Sequence, residues 1–162
     1  MDNKVFLFWV IICLFITSCG AVLAEGTKIS SSQAGDLIRR NLFLGDDLYQ
    51  IDDPHVYQYG NLHVDGPSGG MLYRFNSNPD TLRWLIDNNG LQKNMLDSAD
   101  ELPLEFLTDR PRWWDPWKAN PPAYYVFIEE FETGGERRLI MVYDSSASVI
   151  YVVEHFENMP GI

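Results

Sequence analysis

Three stretches in the last third of the chain, "AYYVFIEEFE", "RRLIMVYD" and "VIYVVEHF", are dense in β-branched and aromatic residues. Such residues suit a pleated, half-buried surface, so each stretch predicts a strand. Thr133-Gly134-Gly135-Glu136 separates the first two and reads as a tight hairpin. Residues 145–148 make a second short link, and short links favour antiparallel neighbours. The three strands therefore predict a meander. "LIMVY" and "VIYVV" are apolar at successive positions, so both faces of the meander need cover.

The middle of the chain supplies the cover. Asn78-Pro79-Asp80 opens a helix over 79–89: the asparagine caps, the proline suits the first helical position, and the aspartate favours the positive end of the dipole. Leu82, Leu85 and Ile86 line one face with Trp84 beside them, and Gly90 supplies a left-handed stop. Upstream, "VYQYGNLHV" and "GGMLYRFNSN" alternate in part and predict strands near 56–64 and 70–76, split by the turn-rich "DGPSGG". In "AGDLIRRNLFLGDD", Leu37, Ile38, Leu42 and Leu44 fit a short helix ending near Gly45, weakened by Gly35 and Asn41. No internal repeat is visible. The expected fold class is α+β: a small single domain with an antiparallel β-meander covered by one main helix.

The N-terminus is organised differently. Lys4 precedes an apolar run over residues 5–16. A bilayer-spanning helix takes roughly 20 residues, so this shorter run fits the core of a signal peptide. It ends in Ile16-Thr17-Ser18-Cys19, followed by Gly20. A branched apolar residue, two small residues and a cysteine resemble the lipobox of bacterial lipoproteins. The resemblance spans about the first twenty residues, and Asp2 and Ile16 are departures from the commonest pattern. It implies cleavage before Cys19 and attachment of fatty acyl chains, palmitate among them, to that cysteine. The expected organisation is a signal peptide over 1–18, a lipidated N-terminus and flexible tether over 19–33, and a globular domain over 34–162. An ordinary secretory signal cut near residues 21–24 and an uncut anchor are the other readings of this segment. One acyl chain binds membranes only marginally, whereas two or more hold durably. With Gly rather than Asp at position 20, the resemblance implies an outer-membrane protein facing the periplasm, if the cell is Gram-negative.

Composition narrows the partners. The chain has 162 residues, two cysteines and a formal net charge of −11. Cys13 lies in the removed segment and Cys19 becomes the anchor, so the domain has no disulfide and stands on packing. An acidic surface repels phosphate backbones and anionic head groups, so nucleic acid is excluded as a natural partner. A basic protein or a cell-wall component fits better.

Candidate chemistry is sparse. "RPRWWDPWKANPP" holds Trp113, Trp114 and Trp117 with Asp115 among four prolines. The prolines deny it a helix interior or a central strand. Either one or two indoles present flat faces to a sugar, a peptide or a cation, with Asp115 as a polar contact, or the rings plug the open face of the meander. Asp46, Asp47, Asp52 and Asp53 are oxygen-rich but lack the order of a calcium loop, and no metal or cofactor is expected. His55, His63 and His155 form no recognisable catalytic or metal motif. Glu129, Glu130 and Glu132 could pair carboxylates for glycoside cleavage, but such a cluster more commonly marks a solvated strand end. The expectation is a membrane-anchored, non-catalytic binding or shielding protein of the envelope, in its narrower form immunity- or inhibitor-like. The alternatives are a carboxylate-based cell-wall hydrolase and a structural subunit of an envelope assembly.

Overall fold

The C-terminal meander organises the molecule. In the structure, a computed structural model, residues 27–43, 49–60, 68–94, 110–132 and 134–157 are described. The signal segment, Cys19, Leu44, Gly45, Asp46, Asp47 and His63 lie outside them. The elements in chain order are β1 (Thr27–Lys28), α1 (Ser31–Leu42), β2 (Asp52–Gly60), β3 (Ser68–Asn76), α2 (Pro79–Asn88), β4 (Gln92–Asn94), β5 (Pro122–Glu130), β6 (Glu136–Asp144) and β7 (Val149–Glu157). They form an α+β domain with one antiparallel sheet of seven strands, ordered β1-β2-β3-β7-β6-β5-β4.

β5, β6 and β7 are the predicted meander, in continuous register. The first turn closes with the Phe131 N–H on the Gly135 carbonyl at 2.7 Å, and Gly134 takes φ +90°, which a residue with a Cβ rarely adopts. At the second turn, Asp144 Oδ1 accepts from the N–H groups of Ser146 and Ala147 and from the Ser146 hydroxyl. β2 and β3 are the two strands expected upstream, and they pair with each other; β2 starts at Asp52, not near 56, and residues 61–64 of the expected strand lie outside the described residues. They join the meander because β3 runs antiparallel to β7 along its whole length, from Ser68 opposite Glu157 to Asn76 opposite Val149.

Strand alternation then sorts the side chains. On one face, Val56, Tyr73, Phe75, Leu139, Met141, Tyr143, Ile150 and Val152 are buried. This face is covered by both helices, through Ala34, Ile38 and Leu42 of α1 and Leu85 of α2, with Leu82, Trp84 and Ile86 packed at the margin. The helix over 79–89 thus has the expected packing face, and α1 shares its covering role. Its cap forms as predicted: Asn78 Oδ1 accepts from the Thr81 N–H at 2.9 Å, and Gly90 has φ +63°.

Two further details differ from the sequence reading. β1 pairs with β2 through Thr27 and Lys28, and α1 begins at Ser31. Ordered structure therefore reaches into residues expected to form a flexible tether over 19–33. Ser31 and Ser32 lie in the solvent-facing first turn of a helix, while the 4-spaced Ala34, Ile38 and Leu42 bury its other side. The helix also stops at Leu42, short of Gly45. Phe43 leaves the helix to stack on Trp84 at 5.2 Å and to meet Phe75 edge-on at 6.1 Å, which fixes the chain exit in an aromatic cluster.

Candidate functional site

The opposite face of the sheet carries the tryptophan-proline segment. The segment has no strand of its own. Its local order comes from the Trp114 N–H on the Pro111 carbonyl at 3.0 Å and a single 3-10 turn, Pro116–Lys118, closed by the Ala119 N–H on Pro116 O at 3.2 Å. The Asn120–Pro121 peptide is cis. The N–H of Asn120 bonds to the Asp144 carboxylate, so the end of the segment is tied to the β6–β7 turn.

The three tryptophans take three different positions. Trp114 is 1% exposed and sits among Leu72, Ile140, Val142, Val149, Tyr151 and Val153. It meets Trp117 and Tyr151 edge-on, at 5.7 and 6.3 Å. Its indole N–H is buried without a hydrogen-bond partner. Trp114 therefore roots the segment and presents no face to solvent. Trp113 and Trp117 are half-buried, and each already has a neighbour from this chain. Trp113 stacks on the His55 ring at 5.2 Å. The guanidinium of Arg110 lies 4.1 Å above the Trp117 ring, within cation–π range. Asp115 pairs with Lys118 at 2.7 Å, and that hydrogen bond and charge hold the Lys118 ammonium above its usual pKa.

His55 is held from its other side as well. Its Nε2 is 3.0 Å from Asp53 Oδ1, and the Asp53 Oδ2 accepts from Arg74 Nη1 at 2.6 Å. Asp53 takes φ +47° where the β2–β3 register slips between Asp52 and His55. The bulge turns its carboxylate toward both His55 and Arg74. The bond from Arg74, aided by His55, holds the Asp53 carboxyl below its usual pKa despite partial desolvation. Asp53 thus serves an ion pair in the β2–β3 hairpin. Among the described residues, no group of three or more His, Cys, Asp or Glu is placed to hold a metal.

The far end of the sheet carries a constellation that sequence reading did not single out. Glu154 is 5% exposed. Tyr73 donates to its Oε2 at 2.7 Å, while Arg137 donates to Oε1 from Nη2 at 2.7 Å and from Nε at 3.0 Å. Asn41 of α1 donates to the Tyr73 hydroxyl at 3.0 Å. Burial first, and the Glu154 charge second, keep the Tyr73 hydroxyl protonated far beyond its usual pKa. A buried carboxylate requires this degree of pairing. Its one local signal was a charge inside the apolar run "VIYVVEHF". Across the sheet, the Tyr59 hydroxyl is 3.0 Å from His155 Nδ1, and the two rings are nearly parallel at 6.0 Å.

The glutamates of the first hairpin do not converge. Glu129 and Glu130 are successive on β5 and point to opposite faces. The Glu129 carboxylate is 3.8 Å from Arg137, whereas Glu130 and Glu132 are exposed. Charge is segregated along the molecule. The tryptophan segment exposes Arg110, Arg112 and Lys118, and the hairpin end exposes Glu130, Glu132 and Glu157. No protein-family model, curated protein or solved structure matches the chain.

Proposed function

We propose that the protein is a lipoprotein anchored through Cys19 to the bacterial envelope, where its acidic domain binds or shields a basic protein or a cell-wall component without catalysing a reaction. The observation that carries this reading is Ile16-Thr17-Ser18-Cys19 at the end of a short apolar run. The domain's first strand begins at Thr27, soon after that cysteine. A short connection would hold the acidic body close to the membrane surface.

The net charge of −11 supports a basic partner, because complementary charge speeds encounter and disfavours acidic competitors. For a cell-wall component, Trp113, Asp115 and Trp117 are the parts of the segment proposed to reach it, and Trp114 is the root that positions them. In a Gram-negative cell the site of action is the periplasmic side of the outer membrane.

Cys19→Ser tests the anchor. The expected outcome is loss of metabolically incorporated palmitate and movement of the protein from the membrane fraction to the soluble one. Retention of the variant in the membrane fraction, or an intact mass for the native protein that lacks acyl chains, overturns the reading.

A further inference from the structure

The seven-stranded sheet leaves half of β5 without an outer neighbour among the described residues. β4 pairs only with Tyr124, Tyr125 and Val126. Beyond them the chain turns away into the C-terminal end of α2, where the Leu91 N–H bonds to the Ile86 carbonyl at 3.0 Å. The hydrogen-bond phase of β5 fixes what the open half offers. Phe131 donates inward to Gly135, so Glu129 and Phe127, alternating with it, also direct their main-chain groups at β6. Ile128 and Glu130 direct theirs outward. An unpaired row of N–H and C=O groups is a template for another strand.

The side chains at this edge are unusual for a protected one. Ile128, 52% exposed, is the exposed large apolar residue of the described structure. Around it stand Glu130 and Glu132, both exposed, and Glu129, half-exposed. In register beside Glu130 lie Glu136 and then Glu157. The nearby cations are already committed: Arg137 to Glu154 and Glu129, and Arg138 to Glu136 at 2.6 Å. Glu129 and Glu136 are thereby compensated, and the edge is an apolar contact beside Glu130, Glu132 and Glu157, which have no cation partner among the described residues.

We propose that the open edge of β5 at Ile128 and Glu130 accepts an extended segment of a basic partner protein, which adds to the sheet as an antiparallel or parallel strand. This deepens the proposed function and rests on its basic partner. Strand addition draws affinity from main-chain hydrogen bonds and specificity from alternate side chains. Ile128 and Glu130 share one face of β5, so the partner strand is called on to place an apolar residue against Ile128 and, two positions along, lysine or arginine against Glu130. Opposite charges directly across a strand pair are favourable and like charges are not. A second copy of this chain would bring two sets of glutamates together along the same edge, which disfavours self-pairing.

The test uses the full lipidated chain in non-ionic detergent, with a capped peptide of about eight lysine and valine residues, a valine and a lysine standing two positions apart on each face, as probe. A matched peptide N-methylated at alternate amides keeps the charge but cannot join a sheet. The expected result is binding that protects the amides of Ile128 and Glu130 from hydrogen exchange and weakens ~10-fold or more on N-methylation. Ile128→Pro, which removes an outward N–H together with the exposed side chain and leaves the donors to β6 unchanged, and Glu130→Lys weaken it likewise. Equal binding of the methylated peptide, or unchanged exchange at both amides, overturns the edge. So does self-association that Ile128→Pro abolishes, because the occupant is then a second copy. If the edge fails while crosslinking still recovers a basic protein with the native lipoprotein, the functional reading stands alone. If the peptide binds as a strand and no basic protein is recovered, the functional reading fails and the edge stands.

Discussion

Gly70 illustrates how much a single position can carry. It lies in register between Tyr59 of β2 and His155 of β7. Having no side chain, it lets the Tyr59 ring cross over it and reach His155. A Cβ at this position would fall 2.0 Å from the Glu154 carbonyl oxygen and 2.6 Å from the Tyr59 hydroxyl. The first of these is main chain, so it cannot swing aside. Gly70→Ala should therefore cost about 3 kcal/mol of stability, seen as a lowered denaturation midpoint. Tyr59→Phe, which removes the hydroxyl that meets His155 and leaves the ring, should cost about 1 kcal/mol. Similar losses for the two variants would show that Gly70 is not tightly enclosed. In the sequence, Gly69-Gly70 closes a turn-rich insert where the strand near 70–76 is expected to start. Nothing within several residues announces that a tyrosine and a histidine from distant strands meet above it.

Among the elements, α2 was legible because its signals are local. Cap, first-turn proline, apolar face and glycine stop all lie between residues 78 and 90. α1 was harder, since its first turn is polar and exposed and the side chains that bury it, Ala34, Ile38 and Leu42, gain their partners from the sheet. The tryptophan segment shows the limit of composition as a guide. Adjacent Trp113 and Trp114 had to diverge, but only the sheet decides that Trp114 turns inward to Leu72, Val142 and Tyr151. Trp114→Ala empties a fully buried site and should cost about 4 kcal/mol, measured by chemical denaturation. Trp117→Ala, at a half-buried ring, should cost about 1 kcal/mol and leave the native near-UV signal of the core in place. Equal costs would mean that the segment packs as one block, with no distinction between root and outward-facing rings.

At the scale of the whole molecule, the sheet is assembled from pieces distant in sequence. β3 finds β7 across most of the chain, and short-range pattern does not encode that pairing, although it marked both strands. Without a disulfide in the described domain, the long-range ties are packing and a few charged contacts, several of them carboxylates. Asp144 joins the β6–β7 turn to the end of the tryptophan segment. Its partial burial would raise its pKa from the usual 3.8, but the bonds from the Ser146 hydroxyl and from the N–H groups of Ala147, Asn120 and Ser146 outweigh this and lower it. Asp53 is lowered too, by Arg74 above all. A carboxylate with a depressed folded pKa favours the folded state above its unfolded value and loses that contribution as pH falls through the folded one. The melting temperature should thus hold on the neutral side and drop once pH passes below 3.8. Asp144→Asn keeps an oxygen acceptor for the turn while removing the titrating proton. Its melting temperature should be lower than the parent's near neutrality and converge on it at low pH, because the two differ by a charge that acid removes. Parallel curves for parent and variant down through this range would show that the Asp144 cap does not distinguish the folded state by its charge.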